Sequence, residues 1–181
     1  MDLYLQAFDN QPGVSIPFLD LHYARVLQWL RAALSLDPES QYPLLMASQL
    51  YAQVPDPARR RLMLDFVYEQ YFLDPERRWP WLAHSAIMAK HRLNDPALAL
   101  KYARAIAEHS PGAPAWARQM HIFVLEDMGE YEAAKILLGG LLASGVVTDR
   151  HEQILLQESL QRIEAAEKSA QATKARRRPA P

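Results

Sequence analysis

Asp-Pro pairs recur along this chain of 181 residues, and their spacing limits the folds that it can adopt. Aspartate is a favoured N-cap because its carboxylate accepts hydrogen bonds from the first free backbone N–H groups of a helix. Proline suits the first helical position and disfavours helix at the residue before it. Successive pairs begin 19, 18, 21 and 15 residues apart, at Asp37, Asp56, Asp74, Asp95 and Ser110, where Ser110-Pro111 takes the place of Asp-Pro. We call these five positions the marks. Because each interval holds one helix and a turn, we predict short helices that follow one another in pairs.

Between these marks the apolar residues recur with the period of a helix rather than that of a strand. The pattern predicts an all-α fold with eight helices and no strand. The eighth helix is capped by Thr148 or Asp149 and fades after Ala166. The first seven helices are predicted over residues 20–36, 40–53, 57–73, 78–93, 96–109, 113–127 and 130–143.

Glycines mark two points near the end of the seventh predicted helix. Ser144-Gly145 supplies the left-handed stop that is common at helix ends. Gly139-Gly140 lies inside the helix, where each glycine costs up to about 1 kcal/mol relative to alanine. We therefore interpret this pair as a point of close contact with another helix rather than as a ligand loop.

The two ends of the chain differ in composition from its helical middle. Residues 1–19 form a predicted extended arm or linker, which either packs on the first helix or is the stub of a removed membrane anchor. Residues 20–167 form one predicted helical domain. Residues 168–181 lack apolar periodicity and carry Lys174 and Arg176–Arg178, so we predict a disordered basic tail. No run approaches the roughly 18 apolar residues that span a bilayer. We expect a cytoplasmic protein or the soluble domain of a membrane-anchored one.

Similar short segments recur at a distance of one helix pair, which indicates an internal repeat. Pro80-Trp81-Leu82-Ala83 aligns with Pro114-Ala115-Trp116-Ala117 at offsets of 34 to 35 residues. The segment from Asn94 to Ala99 aligns with Gly129-Glu130-Tyr131-Glu132-Ala133-Ala134 at an offset of 35. The tripeptides Leu36-Asp37-Pro38 and Leu73-Asp74-Pro75 close two consecutive units.

With these motifs, residues 20–145 resemble the tetratricopeptide repeat family. The family places a bulky residue early in the first helix of a unit, as at Trp81 and Trp116, and Gly-x-Tyr between its helices, as at Gly129 and Tyr131. The resemblance implies a right-handed α-α superhelix of about three to four stacked antiparallel hairpins, followed by a C-terminal capping helix. The glycine is replaced in the other units. An irregular helical bundle, in which the Asp-Pro pairs are only good caps, is the alternative.

Composition and motifs point away from catalysis and from metal binding. The chain has no cysteine, which excludes disulfides, thiolate metal sites and cysteine nucleophiles. His84 and His91 lie two helical turns apart, too far for one ion, and His151-Glu152 lacks the second histidine of a zinc helix because residue 155 is leucine. No nucleophile motif and no phosphate-cradling glycine loop occur. We expect no metal, no cofactor and no enzymatic activity.

We predict instead a protein-interaction scaffold, such as an accessory subunit of a larger or membrane-attached assembly. Arg77-Arg78-Trp79 stands before Trp81, and two arginines beside two tryptophans are typical of an interface hot spot. We assign Trp81 to the core and Trp79 to partner contact. The tetratricopeptide resemblance implies a concave groove for a peptide or a helix of another protein. The residues that would line this groove are Trp79, Leu82, Ala86, Lys90, Ala117, His121 and Val124.

A second hypothesis is binding of nucleic acid or an anionic surface through the basic tail and the arginine runs, including Arg59-Arg60-Arg61. The net charge of the chain is −1, whereas nucleic-acid binders are normally basic in their body. Nucleic acid is therefore the less favoured partner. An enzyme with an unrecognised site is the third hypothesis.

Overall fold

The computed structural model describes the backbone of residues 10–11, 14–15 and 20–177, and the side chains of residues 20–172. Asn10–Gln11 (β1) pairs antiparallel with Val14–Ser15 (β2), with Asn10 opposite Ser15. The sequence predicts no strand, and two-residue strands are too short to show an alternating pattern. The other residues of the predicted arm, 1–9, 12–13 and 16–19, lie outside the described part of the chain.

Over the described residues the rest of the fold is helical, which confirms the all-α class and the predicted eight helices. The second helix is irregular, because its α-helical turn continues through a π-helix at Met46–Leu50 and a 3₁₀ turn at Tyr51–Gln53. The α-helices are α1 (Tyr23–Leu36), α2 (Tyr42–Leu45), α3 (Pro57–Tyr71), α4 (Pro75–Arg92), α5 (Pro96–His109), α6 (Ala115–Asp127), α7 (Tyr131–Ala143) and α8 (Arg150–Arg177).

Three of the Asp-Pro pairs cap helices as the sequence predicts. The Asp56 carboxylate accepts hydrogen bonds from the backbone N–H groups of Ala58 and Arg59 at 2.9 and 3.1 Å. Asp74 accepts from the N–H group of Arg77 at 3.3 Å, and Asp95 from that of Leu98 at 2.9 Å. In each case the following proline occupies the first turn of the helix.

The other two marks do not cap helices. Asp37 lies in a turn where its carboxylate accepts from the N–H group of Glu39 at 3.2 Å, and α2 begins only at Tyr42. The Ser110 hydroxyl is buried, 2.7 Å from the Tyr71 hydroxyl and 2.9 Å from the carbonyl oxygen of Pro75. A local turn therefore uses the Asp37 carboxylate, and tertiary contacts use the Ser110 hydroxyl, in place of the helix caps that the pattern predicts.

Equivalent contacts recur one helix pair apart, at the two Leu-Asp-Pro segments. The Pro38 carbonyl accepts a hydrogen bond from Arg78 at 2.7 Å, and the Pro75 carbonyl accepts from Ser110 at 2.9 Å. The glutamates that follow these prolines are anchored as well: Glu39 pairs with Arg77 at 3.2 Å, and Glu76 accepts from the Gly112 N–H group at 3.1 Å. Each segment is thus held by residues 35 to 40 positions further along the chain.

The chain contains two compact units, residues 1–118 and 119–181, and the division falls within α6. The first unit has the larger buried side chains, among them Tyr51, Phe66, Tyr71 and Tyr102. In the second unit Leu138 of α7 and Ile163 of α8 are fully buried. Lys135 of α7 binds Glu167 of α8 at 2.7 Å.

Two features of the C-terminal region differ from the sequence prediction. The predicted disordered tail starts at residue 168, whereas α8 continues to Arg177; alanine, glutamine, lysine and arginine in this segment are strong helix formers. Residues 178–181 lie outside the described part of the chain. Gly139 and Gly140 make no close helix contact, because an added Cβ would meet no described heavy atom within 4 Å. Gly145 has a φ of +68°, which confirms the left-handed helix stop.

Candidate functional site

Two tryptophans of the first unit form a partly exposed pair. Trp79 lies in the second turn of α4, and Trp116 lies at the start of α6. Their ring centroids are 5.6 Å apart with an angle of 73° between the planes, which is the edge-to-face arrangement that aromatic pairs prefer. Trp79 is half-buried, whereas Trp116 is 54% exposed. The pair therefore presents a rigid aromatic surface to solvent.

Trp116 is the residue of this pair that the sequence pattern does not assign to contact. The resemblance places it at the bulky position of a repeat, beside Trp81. However, Pro80 is followed at once by Trp81, whereas Ala115 separates Pro114 from Trp116. One extra residue turns a side chain by about 100° around a helix. This shift in the alignment is the signal that could have predicted the exposure of Trp116.

Trp81 is half-buried, not a fully buried core residue as the sequence predicts. Its indole Nε1 donates a hydrogen bond of 2.7 Å to the Gln41 side-chain oxygen. A buried indole N–H needs an acceptor. The polar partner holds the ring at the edge of the core.

The two arginines beside Trp79 have different surroundings. Arg77 is exposed and pairs with Glu39 at 3.2 Å and Asp74 at 3.1 Å; the hydrogen bond that Arg77 donates to Glu39 raises the pKa of Arg77. Arg78 is only 3% exposed and donates from Nη1 to the Gln70 carbonyl at 2.6 Å and from Nη2 to the Pro38 carbonyl at 2.7 Å. Burial lowers the pKa of Arg78. Arg78 therefore connects two backbone segments through hydrogen bonds, and Arg77 is the accessible cation of the two.

The remaining predicted groove residues divide by burial. Lys90 and His121 are half-buried, and each has an interaction partner. A partner protein cannot reach a buried side chain without rearrangement of the fold, so Arg77, Trp79 and Lys90 are the accessible members of the predicted set in the first unit. The buried members of the set, Arg78 aside, are Leu82, Ala86, Ala117 and Val124.

The arginine run at the start of α3 does not form an open cationic patch. Arg59 pairs with Asp56 at 3.3 Å, and Arg61 pairs with Asp95 at 2.9 Å. Arg60 is buried and donates to three backbone carbonyls. Carboxylates or carbonyls thus already bind all three guanidinium groups, so the nucleic-acid hypothesis loses the support of this run.

Residues 20–172, whose side chains the structure describes, contain neither a group of metal ligands nor a membrane-spanning helix. No group of three or more histidine, aspartate or glutamate side chains is placed there to hold a metal ion. Among the described helices, none combines the length and the apolar character needed to cross a membrane.

The chain matches no protein-family model, and no curated protein or solved structure is similar enough to it to count as a match. Its function must therefore follow from its own residues.

Proposed function

We propose that this chain is a non-enzymatic protein-interaction scaffold whose partner docks on the Trp79–Trp116 pair. The observation that carries the proposal is the exposure of Trp116, which packs on Trp79 but leaves about half of its own surface in water. Tryptophan is enriched at the energetic centres of interfaces because its large, rigid ring buries much area with little loss of entropy. Arg77, exposed two residues before Trp79, adds a guanidinium at the same end of α4.

The exposed half of Trp116 can contribute measurably to the free energy of binding. A large aromatic side chain buries about 150–250 Å². At about 25 cal/mol per Å², covering the exposed half of Trp116 contributes about 2–3 kcal/mol. That energy corresponds to roughly a thirty- to hundredfold change in the dissociation constant.

We further propose that the helices are arranged as tetratricopeptide-like hairpins. The recurring anchors support this arrangement, since Pro38 and Pro75 accept equivalent hydrogen bonds from residues one unit further along. The partner surface then centres on the two tryptophans rather than on the buried residues of the predicted groove. In the cell the scaffold would serve as an accessory subunit of a larger or membrane-attached assembly.

Affinity capture with matched tryptophan variants tests the proposal. Wild-type protein, Trp116→Ala and Trp29→Ala are immobilised and exposed to the same lysate of the source organism. Trp29 is a suitable control because it is 42% exposed on α1. Proteins that wild type and the Trp29 variant retain, but the Trp116 variant releases, are the expected partners. Their purified affinity should fall roughly thirty- to hundredfold for Trp116→Ala, with unchanged far-ultraviolet circular dichroism.

Equal retention by wild type and the Trp116 variant would contradict the proposal. So would the recovery of general chaperones alone, because chaperones bind many apolar surfaces without specificity.

A further inference from the structure

A second surface of the first unit combines exposed aromatic rings with cations. It is a cleft of about 320 Å³ between α5 and the C-terminal end of α3. We call it the Phe72 cleft, and its defining residues are Tyr68, Phe72, Leu100, Lys101, Arg104 and His109. None of them belongs to the tryptophan pair or to the groove that the sequence predicts.

The aromatic part of the Phe72 cleft is fixed in place yet open to solvent. Phe72 is 43% exposed. Its ring packs edge-to-face on Tyr68, with 5.0 Å between centroids, and on His109 at 5.4 Å. Tyr68 in turn stacks on the buried ring of Tyr102 at 5.1 Å. An apolar group that enters the cleft therefore meets a preorganised wall.

The two cations of the cleft, Lys101 and Arg104, differ from several other cations of the first unit in having no described carboxylate close by. Lys101 Nζ stands 4.1 Å from the centre of the Tyr68 ring. Within the described part of the chain, neither Lys101 nor Arg104 has a carboxylate within 4 Å, whereas Arg31, Arg61 and Arg77 each do. Glu108 is the one carboxylate among the lining residues of the cleft. Two cations, Lys101 and Arg104, against the one carboxylate of Glu108 leave the cleft with a net charge of +1.

We propose that the Phe72 cleft binds an acidic segment of a partner protein. Lys101 and Arg104 are three positions apart and so lie on one face of α5, where their side chains can hold one carboxylate from two directions. A phenylalanine or leucine next to that carboxylate in the partner packs on Phe72. Charge complementarity of this kind selects the partner and speeds its association.

Nucleic acid suits the Phe72 cleft less well than an acidic peptide does. A nucleic-acid backbone presents a track of phosphates, and its affinity grows with the number of cations that neutralise them. The cleft offers two such cations and also contains Glu108. Its volume of about 320 Å³ accommodates one or two side chains rather than a polymer strand.

The test uses the full chain and a synthetic pool of random twelve-residue peptides as the probe. Wild-type protein should retain peptides enriched in aspartate or glutamate beside phenylalanine, leucine or tyrosine. The strongest peptide is then labelled, and its affinity is measured by fluorescence anisotropy. Lys101→Glu/Arg104→Glu should weaken its binding roughly tenfold or more, and added salt should weaken wild-type binding in the same direction.

A matched control separates the cleft from net charge. Arg25 and Lys168 are exposed, and no residue that the structure describes pairs with either side chain. Arg25→Glu/Lys168→Glu changes the net charge by the same amount as the cleft variant and should leave the affinity unchanged. Equal weakening by both double variants would overturn the proposal. So would a retained pool without acidic enrichment, or binding of a single-stranded oligonucleotide in preference to the acidic peptides.

This inference concerns protein binding, as the proposed function does, but it stands on different residues. Trp116→Ala should bind the acidic peptide as wild type does. The Lys101/Arg104 variant, in turn, should still retain proteins that depend on Trp116. Failure of one proposal therefore leaves the other measurable.

Discussion

At the scale of one residue, burial makes the contribution of His84 to folding stability depend on pH. Its Nε2 is buried with no hydrogen-bond partner among the described residues. Desolvation lowers the pKa of His84 below its ordinary value of 6.5, and a hydrogen bond with the Ser48 backbone opposes this effect. Ser48 lies in the π-helix Met46–Leu50. The folded protein therefore holds this imidazole in its neutral form.

This lowered pKa predicts acid sensitivity. Above pH 7 His84 is neutral in both states and contributes nothing to the pH dependence of folding. As the pH falls through 6.5, the unfolded chain takes up the proton first, so the free energy of unfolding decreases until the folded protein is protonated as well. We expect His84→Gln to reduce this decrease between pH 7 and 5, measured by urea unfolding at each pH. His91→Gln, at an exposed position on the same helix, should leave it unchanged; an equal effect of both variants would contradict the assignment.

Residues of the candidate site were predictable where one local property determines their place. Trp79 and Trp81 are both half-buried, and Trp79 belongs to the aromatic pair, so the assignment of Trp79 to partner contact stays a prediction. Leu82, Ala86 and Ala117 are buried, because small and aliphatic residues fill the space that a family pattern would leave as a groove. Whether a helix face meets solvent or another helix depends on tertiary packing. The spacing of apolar residues in the sequence does not specify that packing.

At the scale of elements, Asp-Pro pairs predict a helix start when no tertiary contact competes. Asp56, Asp74 and Asp95 each cap a helix through a side-chain hydrogen bond. Ser110 follows α5, and its hydroxyl instead contacts the Tyr71 hydroxyl at the end of α3 and the Pro75 carbonyl at the start of α4. The predicted helices begin within three residues of the observed starts of α2 to α6, although Asp37 and Ser110 themselves cap no helix.

The glycine pair of α7 offers a test of intrinsic helix propensity. An added Cβ at Gly139 or Gly140 meets no described heavy atom within 4 Å, and both residues lie in helical conformation. Alanine should therefore stabilise the protein by up to about 1 kcal/mol at each position, because it loses less backbone entropy on folding. Urea unfolding followed by circular dichroism measures the change in the free energy of unfolding.

Gly129 is the matched control for the glycine pair. Its surroundings are equally open, but its φ is +76°, a conformation that alanine adopts only with strain. Gly129→Ala should therefore destabilise the protein, opposite in sign to Gly140→Ala. Destabilisation by Gly140→Ala would mean that the pair makes the helix contact that its sequence indicates.

Buried arginines connect distant parts of the first unit at the scale of the whole molecule. Arg60 of α3 is 8% exposed and donates to the carbonyl oxygens of Ala52 at 2.9 Å, Val54 at 2.7 Å and Arg92 at 2.6 Å. Arg78 joins the carbonyls of Pro38 and Gln70 in the same manner. Such side chains satisfy the carbonyls left free where helical segments end. Local periodicity contains no signal for them, since their partners lie up to 40 residues away.

Arg60 and its neighbour Arg61 therefore differ in what they contribute to stability. Arg60→Met keeps most of the apolar stem but leaves three carbonyls without their donor, two of them in buried hydrogen bonds. This should cost about 3 kcal/mol, because hydrogen bonds to charged groups are strong and buried acceptors are expensive to leave unpaired. Arg61 pairs with Asp65 and Asp95 at the surface, so Arg61→Met should cost less than about 1 kcal/mol. Urea unfolding of both variants measures the two costs. Comparable losses in the free energy of unfolding would show that Arg60 acts as another surface charge. A loss confined to the Arg60 variant would identify Arg60 as the connection between α3 and the ends of its two neighbouring helical segments.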